Sequence, residues 1–365
     1  MKIKLKETPD QIELIRAMGS RDLTVAAEAQ EAFAAFVGPV IQQVINQAAT
    51  SSRIYTTQTF DEDSEPSIPL DLFYSDSVNT VQVWSQSIAG GLPTSQIEGV
   101  KELKVSTYRL DSAVSWLKKW ARRSRLDVAS KGLQRMAQEI LVKQESNAWA
   151  VALSALAQAS TKGLRHTITS ANAGVLAIGD FNALLVRGRR ISASFANGTP
   201  DPNASFGPTD LYVSPEVKGQ IRNFAYNPMN TVGSTSTGPV PLPNNVREEI
   251  YRSGGASEIF GIAITDLIEL GLNQKYNVLF GAYAAAGIAH SSANFSSATN
   301  EILIGVDASR EGLVRMVAKG AESGGEVTTA TDDQFLARAD KIGFYSFVEE
   351  GRVCIDSRTL FGIII

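Results

Sequence analysis

The stretch WARRSRLDVASKGLQRMAQEILVKQESNAWAVALSALAQA, residues 120–159, reads as one long helix. Apolar or small residues recur at Leu126, Ala129, Leu133, Met136, Ile140, Ala148, Val151 and Ala155, with Gln144 at the one polar step. Steps of three and four put these positions on one face. Arg125, Lys131, Arg135, Gln138, Glu139 and Lys143 fall on the other. No proline interrupts the run, and Gly132 is its one weak helix former. Forty residues rising ~1.5 Å each span ~60 Å. That exceeds what one compact domain covers, so the stretch predicts a spine across which other parts of the chain, or other chains, lie.

Upstream, Pro9 and Asp10 open a helical zone with Ile12, Leu14 and Ile15 as a first apolar patch. Asp22 is placed to cap a second helix through Ala26, Ala29, Phe33 and Phe36, which Gly38-Pro39 is expected to break before Val40, Ile41, Val44 and Ile45 resume the pattern. These segments read as an arm that must bury its apolar face on something else. Residues 54–110 change character. Ile54–Thr57, SIPLDLFYS, TVQVWSQS and VKELKVSTYRL read as strand, with Gly90-Gly91 and Pro93 near the tip of a long two-stranded ribbon. An isolated ribbon is barely stable in water, so it is expected to rest on a neighbour.

Downstream of the spine, TITSANAGVLAIGD reads as a loop, and Asp180 as the N-cap of a shorter helix carrying Phe181, Leu184, Leu185 and Ile191. DLYVSPEVKGQIRNF reads as buried strand, turn and proline-led helix. Residues 227–247 form an extended loop by composition. Strands are expected at IFGIAITDLI, YNVLFGAYAA and ILIGVD. EGLVRMVAKG fits strand or short helix equally. Two final strands are expected to meet at a turn at Glu350-Gly351.

The bulk properties narrow the function classes. The chain of 365 residues carries a net charge of −4, so it has no global basic field to attract nucleic acid. A lone cysteine, Cys354, excludes a disulfide framework and suits a reducing cytosol. No apolar run of about 18 residues marks a spanning helix, and MKIKLK leads into polar sequence, unlike a signal peptide. Two histidines make histidine-based chemistry or metal binding a poor expectation.

In this order the elements resemble the major capsid proteins of tailed bacteriophages, the Johnson fold of the Hong Kong ninety-seven type. TDLYVSPEVKGQI resembles that family's strand ending in a proline-led helix. FGIAITDLI with YNVLFGAYAA resembles a strand and return strand, and FLARADKIGFYSFVEEGRVCIDS resembles its long peripheral strand and last strand. The resemblance implies an α+β fold with an N-terminal arm at 1–53 and an extended beta-hairpin loop at 54–112. It implies a peripheral domain with the spine helix at 113–164 and 334–365, and an axial domain at 165–333. It further implies a non-enzymatic subunit, without cofactor or metal, that self-assembles as hexamers and pentamers into an icosahedral head around a double-stranded DNA genome. Portal, scaffolding and decoration proteins are the implied partners, packaged DNA is touched non-specifically, and no membrane is involved. The implied location is the virion, with host cytoplasm during assembly. No scaffolding domain precedes the arm, so a separate scaffold or self-assembly is expected. The alternative within the same fold is an encapsulin-type bacterial compartment shell enclosing an enzyme cargo. The family's covalent cross-link needs a lysine on the extended loop; Lys101 and Lys104 lie there, but one sequence shows no partner for them.

The remaining constellations read as structural. Asp61, Glu62, Asp63 and Glu65 lack the twelve-residue spacing of a calcium loop and fit an acidic loop that pairs with a neighbour's arginines. Arg122, Arg123 and Arg125, and Arg187, Arg189 and Arg190, form basic patches that suit ion pairing between subunits better than phosphate. His166 and His290 lie in polar loops without ligand spacing and are expected at the surface. Cys354 reads as a small core residue. SGGASEIFG lacks the phosphate-cradle spacing, and Ser214 lacks the nucleophile elbow. No catalytic, cofactor or metal residue is assigned.

Overall fold

The computed structural model describes residues 8–61, 64–69, 102–123, 126–161, 163–192, 194–195, 199–200, 207–224, 248, 258–285, 295–319, 326–332 and 340–365. The chain divides into two compact units. One comprises Met1–Pro66, Lys104–Ala148 and Val314–Val353, the other Ser67–Leu103, Trp149–Leu313 and Cys354–Ile365.

In the first unit, helix α1 (Pro9–Met18) turns into α2 (Leu23–Ala48), where the Asp22 carboxylate accepts from Thr24 N at 3.1 Å. The break expected at Gly38-Pro39 is absent, and α2 runs straight through it. A mid-helix proline removes one backbone bond and costs about 3 kcal/mol. Val37 and Ile41 flank it and are fully buried. Each such side chain contributes about 1.5–3 kcal/mol, enough to offset the loss. Gly38 permits a close approach, since a Cβ there would lie 3.2 Å from the Val327 carbonyl oxygen. Phe36, expected inside, is 47% exposed, and Ala34, Val37, Ile41 and Ile45 carry the buried face instead.

The spine is shorter than its sequence suggests. A short helix α3 (Lys118–Arg122) ends in a turn at Arg123, and α4 runs Leu126–Gln158, 33 residues or ~50 Å. Ala129, Leu133, Met136, Ile140, Gln144 and Ala148 are buried as expected. Beyond them burial passes to Trp149, Ala152, Leu153 and Leu156, leaving Val151 and Ala155 half-buried. From Trp149 on the helix belongs to the second unit, and there the Trp149 ring lies 4.9 Å from Tyr212 and 5.9 Å from Tyr276, centre to centre. The aromatic centre of this unit is Phe344, 5.4 Å from Phe33 and 5.3 Å from Trp116, ring centre to centre.

The unit's sheet has the order Thr56–Asp61, Leu313–Lys319, Lys341–Cys354, Thr328–Thr331, with Tyr108–Leu117 also paired to the long strand Lys341–Cys354. EGLVRMVAKG is therefore strand. The turn expected at Glu350-Gly351 is also absent, because the long strand continues to Cys354. Gly351 serves contact rather than turning. A Cβ there would sit 2.9 Å from both the Ser106 carbonyl oxygen and Val105. Of the ribbon, the feet Ser67–Pro69 and Glu102–Lys104 pair as a two-stranded sheet. Its body, its tip at Gly90-Gly91 and Pro93, and the loop 227–247 lie outside the described residues.

The second unit is built on a six-stranded sheet of order Glu258–Ile259, Ile262–Asp266, Asp210–Val213, Ile302–Val306, Leu360–Ile364, Thr167–Thr169. Helices α5 (Ile178–Ser192), α6 (Pro215–Asn223) and α7 (Lys275–Ala285) accompany it. Part of TITSANAGVLAIGD is thus strand. Asp180 lies inside α5 rather than ahead of it, and its carboxylate reaches back to Ala177 N at 2.9 Å and Ala171 N at 3.1 Å. YNVLFGAYAA, expected as a strand, is α7. A strand would place Val278 and Phe280 on one face, yet Phe280 is buried and Val278 is 48% exposed. Tyr276, Phe280 and Ala284, four apart, form the buried stripe. DLYVSPEVKGQIRNF is strand and then proline-led helix as its sequence predicts, and Ser214, not singled out as a cap from sequence, accepts from Val217 N at 3.1 Å.

Candidate functional site

The most chemically concentrated place in the first unit surrounds Glu350. In the ladder of the long strand with Tyr108–Leu117, Tyr108 stands directly opposite Glu350. Its hydroxyl donates to Oε1 at 2.7 Å. Arg315 Nε donates to Oε2 at 2.7 Å, Arg352 Nε reaches Oε1 at 3.2 Å, and Gln144 Nε2 on α4 reaches Oε2 at 3.4 Å. Glu350 is wholly buried and the Arg352 side chain is 4% exposed. Burial alone would raise the Glu350 pKa, but the Arg352 and Arg315 guanidinium groups outweigh it and hold the carboxyl below its ordinary value. Burial, then the Glu350 charge, push the Tyr108 hydroxyl up to about 12.

A second carboxylate tightens the neighbourhood. Glu145 on α4 accepts from Ser51 N at 3.1 Å, Ser51 Oγ at 2.8 Å and Thr50 Oγ1 at 2.5 Å, fixing the turn that leaves α2. Arg315 also pairs with Glu326 at 3.1 Å. Ser51, Tyr55, Gln144, Glu145, Arg315 and Arg352, with Ile45, line a cavity of about 170 Å³. Both Glu350 oxygens are already taken up by Tyr108, Arg315, Arg352 and Gln144, and the phenol is held protonated. The cluster fastens strand to strand and sheet to helix.

The second unit has its own buried charges. Asp356 accepts from Arg358 Nε at 2.9 Å and pairs with Arg310 at 3.3 Å. His166, expected at the surface, is fully buried. Its Nδ1 faces the carbonyl oxygens of Ser357 at 2.9 Å and Leu360 at 3.0 Å, and Nε2 lies 2.8 Å from Thr161 Oγ1. Two carbonyls at Nδ1 place the proton there, so Nε2 accepts from the threonine. Burial lowers its pKa, against the pull of the Leu360 and Ser357 carbonyls. Neither buried cluster was named from sequence. The legible signal was a charged pair two apart, Glu350 and Arg352, on one face of an otherwise apolar strand.

The other sequence candidates are scattered. Of the acidic run, Asp61 is exposed and Glu65 pairs with Lys104 at 2.9 Å, while Glu62 and Asp63 lie outside the described residues, as do Lys101, Arg125 and His290. Arg122 donates to the Gly19 carbonyl oxygen at 2.8 Å and pairs with Asp340 at 3.6 Å within its own chain. Cys354 is half-buried, and burial followed by Asp356 pushes its thiol up to about 12, which removes thiolate reactivity. Arg187, Arg189 and Arg190 lie on α5. Among the described residues no group of three or more His, Cys, Asp or Glu side chains is placed to hold a metal, and no helix is long and apolar enough to cross a membrane. Several large apolar side chains instead face solvent. They include Leu23, Phe36 and Val142 in the first unit and Val186, Phe260, Ile268 and Leu272 in the second.

In sequence the chain matches no family profile and no curated protein. In structure it is similar to the capsid of the cyanophage P-SCSP1u, with a TM-score of 0.54 at 13% identity over 87% of this chain and 88% of that one. It is similar to the capsid of a native GTA particle, with a TM-score of 0.51 at 9% identity over 87% and 90%. It is also similar to a structure of Microbacterium phage Oxtober96, with a TM-score of 0.50 at 12% identity over 87% and 90%. The chain therefore has the α+β fold of the tailed-phage major capsid proteins that its order of elements resembles.

Proposed function

We propose that this chain is a major capsid protein, the structural subunit of an icosahedral head that encloses the double-stranded DNA of a tailed phage. The observation that carries the reading is the likeness to the cyanophage capsid along 87% of the chain. Exposed apolar side chains on both units supply contact surface that a solitary subunit would leave in water. Function in this reading is geometry and contact energy, without turnover. The two buried ion clusters keep each unit rigid while contacts between copies are made and adjusted.

The segments take the following parts. Residues 1–53 act as the N-terminal arm and 54–112 as the extended loop laid on a neighbouring copy. Residues 113–164 with 334–365 form the peripheral domain, and 165–333 the axial domain. Copies associate as hexamers and pentamers, with portal, scaffolding and decoration proteins as partners and the packaged DNA touched without sequence preference. The subunit resides in the virion head and passes through the host cytoplasm during assembly.

Sedimentation velocity and negative-stain microscopy on the full chain expressed alone test the reading. Closed shells or capsomer-sized rings are expected. A small species that stays small at high concentration and with a candidate scaffold added contradicts it. Shells that carry an enzyme and no nucleic acid contradict the phage assignment and leave a compartment shell.

A further inference from the structure

The turn that follows the strand Ile262–Asp266 holds an apolar side chain outward. Leu267 and Leu270 are buried and anchor it on both sides. Leu267 N donates to the Val213 carbonyl oxygen at 2.9 Å, Leu270 N to that of Leu267 at 3.1 Å, and Tyr276 N to that of Glu269 at 3.1 Å. Gly271, at φ 131°, lets the chain turn back toward α7. Between the anchors Ile268 is 76% exposed, the most exposed large apolar side chain among the described residues. The isoleucine is held in water by a turn whose flanking leucines are both buried and hydrogen-bonded through their backbone N–H groups. Beside it the exposed Glu269 carboxylate has no hydrogen-bond or ion-pair partner among the described residues. Asp266, three residues before Glu269, is already neutralised by Lys218 at 2.6 Å.

A complementary surface lies elsewhere in the same unit. Leu164, Ile168, Ala183 and Val186 floor a groove of about 420 Å³ beside α5, and Arg187 and Arg190 edge it. Val186 is 55% exposed there. Arg187 has no hydrogen-bond or ion-pair partner among the described residues. The groove asks for an apolar group accompanied by a carboxylate, and the Ile268 turn presents that pair.

We propose that the Ile268 turn of one copy seats in the α5 groove of the next, with Ile268 on the apolar floor and Glu269 against Arg187. The proposal rests on the shell reading and specifies one of its contacts. Knob and groove are different surfaces of one unit, so the contact is head-to-tail. It repeats from copy to copy and generates a ring where the rotation closes. Apolar burial supplies the attraction, and the charge pair sets the register.

Charge reversal and truncation test the contact on the full chain. Ile268→Asp is expected to raise the concentration needed for assembly about tenfold or more and to leave the melting of the unassembled chain unchanged. Glu269→Arg and Arg187→Glu each weaken assembly, and the two together restore it. Copies carrying Ile268→Cys mixed with copies carrying Val186→Cys form an intermolecular disulfide when oxidised by oxidised glutathione, which is reduced in exchange. If Ile268→Asp assembles at the wild-type concentration, the reversals do not rescue each other and no disulfide forms, the contact is overturned while the shell reading stands. A groove that binds a DNA oligonucleotide through Arg187 while these variants assemble normally overturns it equally. A wild-type chain that never associates removes the shell reading, and this contact with it.

Discussion

Replacing Glu350 by alanine leaves two buried guanidinium groups to find other company. Arg315 keeps Glu326 at 3.1 Å. Arg352 keeps the Ser51 hydroxyl at 3.4 Å and the face of Tyr55, 5.0 Å from its ring centre, and among the described residues it has no second ion pair. Breaking a buried pair from one side costs about 3–5 kcal/mol, because the surviving charge stays desolvated. That corresponds to a loss of roughly 1–3 M in urea midpoint. Because the chain has two units, one global transition is the wrong readout. Hydrogen exchange on the peptides 108–117 and 341–353, followed through a urea titration, reports the affected unit alone. Exchange in the second unit should be unchanged. The double variant Glu350→Leu with Arg352→Met should lose less than Glu350→Ala, because it leaves no lone charge at that position. A loss below about 1 kcal/mol for Glu350→Ala, or a double variant no better than the sum of its singles, would refute the view of the cluster as a fastener. The same pair sets an acid limit. The Glu350 pKa lies below its ordinary value of 4.5 in the folded unit. Its stabilisation is therefore complete above 4.5 and is lost as pH falls through the lower folded value.

Three further outcomes belong to the second unit. Gly312→Ala should destabilise it by about 1–3 kcal/mol, visible as a lower melting temperature, because a Cβ would lie 2.6 Å from the Asp356 carbonyl oxygen and closer still to the Thr359 methyl. Asp180→Ala removes the acceptor for Ala177 N and Ala171 N and should cost about 1 kcal/mol, read as faster exchange in residues 171–185. The buried His166 has a folded pKa below 6.5. Its stabilisation is complete above that value and is lost as pH falls through the folded pKa. Exchange in residues 160–169 and 355–362, corrected for intrinsic rate, should therefore quicken toward pH 5, and His166→Gln should flatten that dependence.

What the sequence revealed and what it hid divide along physical lines. Order and type of element were legible wherever a periodic pattern met a capping residue. Asp22 ahead of α2 and Pro215 opening α6 are such places, and the spine's face from Ala129 to Ala148 was legible from its period alone. α7 was hidden because YNVLFGAYAA is apolar on nearly every side, so neither period shows. Pro39 and Gly351 misled because both residues commonly interrupt elements, whereas here burial of Val37 and Ile41, and the approach of Val105 and Ser106, set the outcome. The buried charges were hidden for another reason. Strand pairing brings Tyr108 to Glu350 across 242 residues, with Arg315 joining from 35 residues away, and His166 meets segments more than 190 residues on. Only the tertiary fold turns such residues from surface charges into internal ones.

The central claim is that copies of this chain build a closed shell, and single-particle cryo-electron microscopy of the assembled protein tests it most directly. The account predicts an icosahedral particle in which the same chain occupies both five-fold and six-fold rings. A discrete compact oligomer, or a monomer whose exposed apolar surfaces remain in solvent at every concentration and with scaffold present, would contradict it.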